Sequence, residues 1–190
     1  MTFVILRGVT NKHKKNNNLN IEFYNKLETS LPTSTVDIRH KWVSEIIENK
    51  IEIKDLSKLL WSNKRVSTRF LWLLSEIGMM NPDILHKELP FLLQLSDEIS
   101  HFDFKKSFAS FWLISGVPLK NESRAIDLLF TWIQSVSTDV TTKSRALLVL
   151  FELTKKYPEL KNELRICLAD QIIKEQNGFT KRAKKIIGQL

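Results

Sequence analysis

The chain has 190 residues, of which 43% are hydrophobic, with 29 Lys and Arg against 21 Asp and Glu. This size and apolar content are those of one or two globular domains and argue against disordered or fibrous classes. Five Gly and a single Cys, Cys167, argue against glycine-rich phosphate loops, multi-cysteine metal sites and intramolecular disulfides. The longest apolar run, residues 108–119, is broken by Ser, Gly and Pro and is too short to cross a membrane. These features predict a cytoplasmic protein without membrane contact.

The excess positive charge lies at the two ends of the chain. Residues 1–21 and residues 174–190 each carry a net charge of +4, whereas the stretch between them is neutral. The first 18 residues are rich in Asn and Lys and contain too few apolar residues to join a core. We predict a flexible basic arm over residues 1–18, followed by a single helical domain over residues 19–190.

From residue 19 onward, apolar residues recur at the spacing of an α-helix, as Phe70, Leu73, Leu74 and Ile77 do. No segment has the pattern of a convincing strand. The connections between the apolar stretches are short, so the helices are expected to form successive pairs. Ten helices are predicted, over residues 19–31, 35–49, 53–61, 64–79, 82–99, 104–115, 121–137, 141–156, 158–175 and 179–190.

Polar and small residues mark the ends of several predicted helices. Asn81 precedes a Pro and is expected to cap the fifth helix, and Thr141 or Thr142 is expected to cap the eighth. Gly78 and Gly116 follow apolar stretches, where a left-handed glycine commonly ends a helix. Both glycines are therefore predicted to end their helices with a left-handed conformation.

The second helices of the pairs share a pattern, in which a basic start and small residues precede an apolar stretch. The basic positions Arg69, Lys106, Arg145 and Arg182 are 37, 39 and 37 residues apart. A two-helix unit of about 40 residues is the period of the HEAT and armadillo class. Each such unit buries its apolar face only by stacking on its neighbours.

Residues 53–190 resemble HEAT repeats on this basis. The second helix of that family carries a basic residue six positions after a polar one, usually Asp, as Asp139 and Arg145 do. Pro90 lies inside a predicted first helix, as in many HEAT units, and is expected to kink it. Three other pairs have the same six-residue spacing, but their polar residue is not an acid: Asn63 and Arg69, Ser100 and Lys106, and Gln176 and Arg182. The resemblance implies an all-α fold, an α-α superhelix or solenoid of about five helix pairs.

Two further resemblances concern the chain as a whole. It is similar to short bacterial HEAT-like proteins, some of which carry an adenylosuccinate lyase label. The lyase itself is a much longer three-domain helical enzyme with a Ser-rich loop, and this sequence has neither that length nor that loop. The architecture also resembles the HEAT-like alkylpurine DNA glycosylase, which holds DNA on a basic concave face with aromatic residues and a carboxylate.

Basic residues gather near the starts of the second helices. Because inner helices line the concave face of a solenoid, these residues are expected to form a row that could neutralise phosphates. The alternative is structural: the basic residue that recurs in each repeat would join neighbouring repeats through polar residues and helix ends. The candidate binding residues are Arg65, Arg69, Trp72, Lys105, Lys106, Lys143, Arg145, Lys181 and Arg182.

The five Trp residues have apolar neighbours at helical spacing, which favours core packing for each of them. They are Trp42, Trp61, Trp72, Trp112 and Trp132. Trp72 follows Arg69 by three residues on the same helix face, where a base or a partner side chain could stack.

No residue pattern indicates a reaction. Asp97, His101 and Asp103 form the densest cluster of acids and His, which is more typical of a solvated helix end than of a metal site. Glu76 and Glu152 would be the candidate carboxylates of an enzyme. We predict instead a non-enzymatic binding scaffold without a cofactor, a metal or a small-molecule substrate, whose concave face holds a protein partner. The alternative is nucleic-acid binding through the basic row, with or without glycosylase-like base chemistry.

Overall fold

A computed structural model describes residues 20–99, 104–175 and 178–190. Within these ranges all regular structure is α-helix or short 3-10 helix, without a strand. Each of the described helices is too short or too polar to span a membrane. The chain divides into two compact units, of which the first ends at Ile77 and the second begins at Gly78. The predicted arm over residues 1–18 lies outside the described residues.

The first unit is built from helices that bury apolar residues on one face. Leu27, Ile46, Leu60, Phe70 and Leu74 contribute side chains that are at least 99% buried. The helices are α1 (20–30), α2 (Val36–Glu48), α3 (Ile53–Leu56) and α4 (Lys64–Met80), with 3-10 helices at Leu31–Thr33 and Ser57–Trp61.

The second unit contains three successive helix pairs, which are α5 (Pro82–Glu98) and α6 (Lys105–Ser115), α7 (Glu122–Gln134) and α8 (Val140–Lys156), and α9 (Leu160–Lys174) and α10 (Gly178–Ile187). The two helices of each pair pack against each other. The second helices also pack side by side, α6 against α8 and α8 against α10. The core holds Phe108, Phe111 and a stacked pair, Trp112 and Trp132, whose ring centroids are 5.6 Å apart. This arrangement is the stacking that a helical repeat needs to bury its apolar faces.

The predicted ten helices are confirmed in number and order over the described residues, with two differences at their ends. The helix predicted over 53–61 is the short helix α3 followed by a 3-10 helix. The Ser57 hydroxyl donates to the Lys54 carbonyl at 2.7 Å at this junction, a local bond that competes with a regular helix. Helix α7 ends at Gln134 instead of residue 137, because Ser135 adopts an extended conformation.

Polar side chains cap the second helices at equivalent positions. Asp139 Oδ1 accepts from the backbone N–H groups of Thr141 and Thr142 at 3.0 and 3.1 Å. Asn63 Oδ1 accepts in the same way from Arg65 and Val66 at the start of α4, at 3.0 and 3.1 Å. The polar residue of the repeat pattern is therefore the helix cap at these two positions.

The cap predicted for α5 is confirmed, whereas the cap predicted for α8 is wrong. Asn81 Oδ1 accepts from Ile84 N–H at 3.4 Å, directly before a Pro at the first helical position. For α8, Thr141 and Thr142 lie inside the first turn, and Asp139 occupies the extended cap position before them. A carboxylate at this position accepts two backbone bonds and the Thr142 hydroxyl, which neither Thr could do from within the turn.

The prediction for Gly116 is confirmed and the prediction for Gly78 is wrong. Gly116 follows α6 with a left-handed φ of 77°. Gly78 instead lies inside α4, which continues to Met80. A Cβ at Gly78 would meet Leu85 Cδ2 at 2.5 Å and Ile114 Cγ2 at 3.2 Å. The glycine is thus required by the close approach of α5 and α6, because those two helices supply the contacting side chains.

Removal of the Asp139 cap is expected to destabilise the second unit. Burial raises the pKa of Asp139, but the Thr142 hydroxyl and the backbone N–H groups outweigh it and hold the pKa below its usual range. Asp139→Ala should lower the free energy of unfolding at pH 7 by about 1 kcal/mol, measured by urea denaturation. Asp139→Asn should keep most of that stability, because Asn caps helices as well as Asp does.

The same two variants distinguish the contribution of the cap's hydrogen bonds to stability from that of the Asp139 charge. A carboxyl with a lowered folded-state pKa stabilises the fold above its unfolded-state pKa, and this contribution is lost as pH falls through the folded-state pKa. Wild-type stability should therefore fall more steeply below about pH 4 than that of Asp139→Asn. Equal stability of Asp139→Ala and wild type at pH 7 would show that the cap contributes nothing.

Candidate binding site

The structure places the starts of the second helices of the second unit close together. Lys106, at the start of α6, acts electrostatically on Asp139, which caps α8. Lys143, at the start of α8, forms an ion pair with Glu175, which lies just before α10. Three helix starts are therefore neighbours along one edge of this unit. We call Lys105, Lys106, Arg145, Lys181 and Arg182 on this edge the basic row.

The residues of the basic row differ in exposure. Lys106, Lys181 and Arg182 are exposed, whereas Lys105 and Arg145 are half-buried. Over the residues that the structure describes, no ion pair within 4.0 Å joins Arg145, Lys181 or Arg182 to a carboxylate. The exposed charges of Lys181 and Arg182 are thus available to an acidic ligand.

Helix α10 extends the positive surface beyond the predicted residues. Its apolar side, made by Phe179, Ala183 and Ile186, is buried. Its opposite side carries Lys184 and Lys185 besides the two cations of the basic row, and all four are exposed. The helix contains no acidic residue to neutralise them.

Lys143 differs from the other predicted cations because it is buried. Its side chain is only 2% exposed and its ammonium group donates to Glu175 Oε1. A buried ammonium group needs such a carboxylate, since desolvation disfavours the charged form. Lys143 therefore lies in the contact between α8 and the segment before α10, where an anion in solution cannot reach its ammonium group.

Lys106 has features of both roles predicted for the basic residues, which are phosphate binding and interaction with the neighbouring repeat. It is exposed at the start of α6, and its charge helps to hold the pKa of Asp139 below the usual range after the stronger effects of burial and the Thr142 bonds. Its charge therefore acts on the cap of the neighbouring second helix, and its side chain remains exposed.

In the first unit, Trp72 on α4 is exposed and lies between arginines. Its side chain is 47% exposed. The guanidinium carbon of Arg69 is 4.6 Å from the ring centroid and that of Arg39, on α2, is 5.6 Å from it. Cations at these distances are attracted to the electron-rich face of an indole. Arg39, Arg69, Trp72 and Glu76 are called the Trp72 cluster below.

Arg39 is held in place from two sides. Its Nε donates to Glu76 Oε1 at 3.0 Å and its Nη1 donates to the Ser34 carbonyl at 3.3 Å. Arg39 is 4% and Glu76 is 8% exposed, so this ion pair is buried under the exposed indole. The second oxygen of Glu76 is buried and has no hydrogen-bond partner among the described residues. The cluster therefore presents an exposed Trp beside the half-buried Arg69, over a buried ion pair of Arg39 and Glu76.

Sequence reasoning named Arg69, Trp72 and Glu76 but missed Arg39. Arg39 is 30 residues before Arg69 and on another helix, so no local spacing connects them. A signal was present, since Arg39 occupies the first position of the apolar stripe that Trp42, Val43 and Ile46 continue. A charged residue in a buried stripe indicates a buried partner.

The core packing favoured for the Trp residues is confirmed for Trp42, Trp112 and Trp132, which are buried, and is wrong for Trp61, which is 46% exposed at the end of a 3-10 helix. Trp72, for which stacking against a ligand was the alternative, is 47% exposed and has arginines beside its ring.

The remaining candidates for chemistry have structural partners. Asp97 forms an exposed ion pair with Arg124, while His101 and Asp103 lie outside the described residues. Over the described ranges, no three His, Cys, Asp or Glu side chains converge as metal ligands would. Cys167 is 6% exposed, and burial raises the pKa of its thiol, which keeps it protonated at neutral pH. Glu152 is exposed and pairs with Lys155.

Stacked helix pairs with capped second helices define a helical repeat protein. Residues 23–187 match the family model of the HEAT repeat domain. The chain therefore belongs to the HEAT repeat domain family, whose members are helical scaffolds that often mediate protein interactions. The predicted resemblance to HEAT repeats and the all-α fold class are confirmed. No curated protein and no solved structure gives a significant match.

The buried position of Lys143 leads to a stability prediction. Lys143→Met should lower the free energy of unfolding by about 3 kcal/mol, because it removes the cation of a largely buried ion pair. The double variant Lys143→Met with Glu175→Gln should recover much of this loss in urea denaturation. The control is Lys174→Met, which removes an exposed pair with Asp170 and should change stability by less than about 1 kcal/mol. Equal effects of the two single variants would contradict the structural role of Lys143.

Proposed function

We propose that this protein is a non-enzymatic binding scaffold in the cytoplasm, which holds a protein partner on an exposed helical face. The observation that carries the proposal is the Trp72 cluster. An exposed Trp flanked by two Arg has the composition of an interface hot spot, since Trp and Arg are enriched among residues that dominate binding energy. Membership of a family of interaction scaffolds supports the same function.

The cluster is also prepared for binding. Arg39 is fixed by Glu76 and by the Ser34 carbonyl, and both arginines contact the indole. A side chain that is already held in one conformation loses little entropy when a partner binds. A protein partner that covers Trp72 would bury the exposed half of a large aromatic side chain.

Trp61 supplies a matched control, because its exposure is nearly the same and, among the described residues, no arginine lies over its ring. Full-length wild type, Trp72→Ala and Trp61→Ala would each be used to capture partners from nuclease-treated cell extract, after circular dichroism has verified folding. Captured proteins would then be purified and their affinities measured directly. The partner should bind Trp72→Ala at least tenfold more weakly than wild type, and Trp61→Ala equally well. Equal affinity for all three would exclude the Trp72 cluster as the binding site.

Nucleic-acid binding is the second candidate, which the basic row favours. Three exposed cations and the half-buried Arg145 lie at adjacent helix starts, an arrangement suited to a phosphate backbone. The exposed indole of Trp72 above Glu76 also has the residue types of the glycosylase-like alternative, an aromatic surface and a carboxylate.

Fluorescence anisotropy with labelled double-stranded DNA and single-stranded RNA, across a salt series, separates the two candidates. If the basic row contacts phosphates, Lys106→Ala and Arg145→Ala should each weaken binding and reduce the salt slope by about one. Lys120→Ala, an exposed lysine outside the row, is the control. Absence of micromolar binding by the wild type would leave the protein-binding function as the one to pursue.

A further inference from the structure

Helix α9 is apolar on two opposite sides. Leu164 and Cys167 face the core of the second unit and are buried. On the opposite side, Ile166 is 63% and Ile173 is 83% exposed, and the exposed Ala169 lies between them. Because an α-helix has about 3.6 residues per turn, positions 166, 169 and 173 share one face. We call Ile166, Ala169 and Ile173 the α9 stripe.

The α9 stripe has no partner within the described part of the chain. Helices α7, α8 and α10 pack against α9, whose buried residues lie on the side away from the stripe. Single exposed apolar residues are ordinary on a protein surface, but a surface helix normally carries polar residues opposite its core face. An aligned apolar stripe in that position is the pattern of a helix that packs on both sides.

The spacing of the stripe is that of a coiled-coil seam. Ile166, Ala169 and Ile173 are three and then four positions apart, as the a, d and next a positions of a heptad are. Isoleucine at the a positions favours two strands. The small side chain of Ala169 allows a second helix to approach closely, since the distance between packed helices depends on the side chains at their contact. The stripe is therefore suited to one further helix.

Opposite charges border the stripe on its two sides. Arg165 lies on one side and is exposed, and no carboxylate pairs with it within 4.0 Å among the described residues. Glu163 and Asp170 lie on the other side. The bonds that Asp170 accepts from Lys174 and Gln171 both go to its Oδ2 atom, so Oδ1 remains available to a further cation.

A pocket of about 480 Å³ opens beside the acidic side of the stripe. Glu159, Glu163 and Asp170 line it together with Ile166. Over the described residues, Glu159 and Glu163 form no ion pair within 4.0 Å. Carboxylates in this arrangement favour a cation from outside, and a planar guanidinium group matches a carboxylate best.

We propose that α9 is a self-association surface, on which a second copy of this chain packs with its own α9 in parallel. A two-fold axis along the helices sets stripe against stripe. It also sets the Arg165 side of each copy against the acidic side of the other. Arg165 then pairs with Asp170 of the second copy, as g and e positions pair in parallel coiled coils. The pair occurs twice, because a two-fold interface is isologous.

The charges of α9 favour a second copy over another kind of partner. The two sides of the stripe complement each other, so no other sequence is needed to complete the contact. Residues 159–174 hold three acidic and three basic residues and are neutral, in a chain whose net charge is +8. Two copies therefore meet at this helix with little repulsion. The carboxylates disfavour a phosphate backbone, and antiparallel helices would set one acidic side against the other.

Self-association is measured by sedimentation equilibrium of the full chain at low salt. We expect a reversible dimer with a dissociation constant of about 100 µM, because contact along two heptads is smaller than a standard interface. Ile173→Asp should weaken the dimer about tenfold or more, since it places a charge in the seam. Leu119→Asp is the matched control, because Leu119 is 75% exposed on a 3-10 helix outside α9. A chain that stays monomeric at about 1 mM, or equal weakening by the two variants, would overturn the proposal.

Charge variants test the parallel pairing. Arg165→Glu and Asp170→Arg each set like charges opposite each other at two places in the dimer, and each should weaken it about tenfold. Both residues are exposed, and circular dichroism verifies that the variants fold. An equimolar mixture of the two variants should associate as the wild type does, because each chain supplies the charge that the other lacks. A mixture that associates no better than either variant alone would contradict the pairing and overturn the proposal.

Discussion

Helix α8 is the element on which the second unit depends, because α6, α7, α9 and α10 all pack against it. A helix surrounded in this way has to bury residues on several sides. Its buried residues accordingly include Thr142, Lys143 and Thr154 besides its apolar positions. Each of these polar groups has a nearby acceptor, which is the condition for burying it.

The polar contacts of α8 explain why the basic residues at the helix starts have different roles. The charge of Lys106, on the preceding second helix, helps to lower the pKa of Asp139, which caps α8. Lys143 of α8 forms an ion pair with Glu175, just before the next second helix. At the other end of α8, Lys156 is joined to Glu122 at the start of α7. Lys143 and Lys156 are therefore neutralised in ion pairs between helices, and the exposed cations of the basic row are the ones available to a ligand. The net charge of +8 overstates the charge that a partner would meet there.

The helices and the repeat family were predictable because both depend on local spacing. Apolar periodicity predicted the ends of α4 through α10 to within a few residues, and the spacing of the basic residues predicted the HEAT repeat family. The features that were missed depend on contacts between helices. Gly78 was assigned to a helix end because sequence does not show Leu85 and Ile114 packed over it. Lys143 was placed with exposed cations because the carboxylate that buries it comes 32 residues later.

The candidate sites were less accessible to sequence reasoning than the fold. Trp72 and Arg69 were found together because they are three residues apart on one helix. Arg39 was missed because it lies on another helix, and its contacts with the Trp72 indole and with Glu76 depend on how that helix packs.

The unequal exposure of the five Trp residues gives the protein two built-in optical reporters. Trp42, Trp112 and Trp132 are shielded from solvent, whereas Trp61 and Trp72 are open to it. A soluble quencher such as iodide should reach the exposed indoles selectively, so red-shifted emission reports on the surface and blue-shifted emission on the core. Burial of Trp72 by a partner should then shift the emission to the blue and loss of the fold should shift it to the red, so one spectrum distinguishes the two events without any added label.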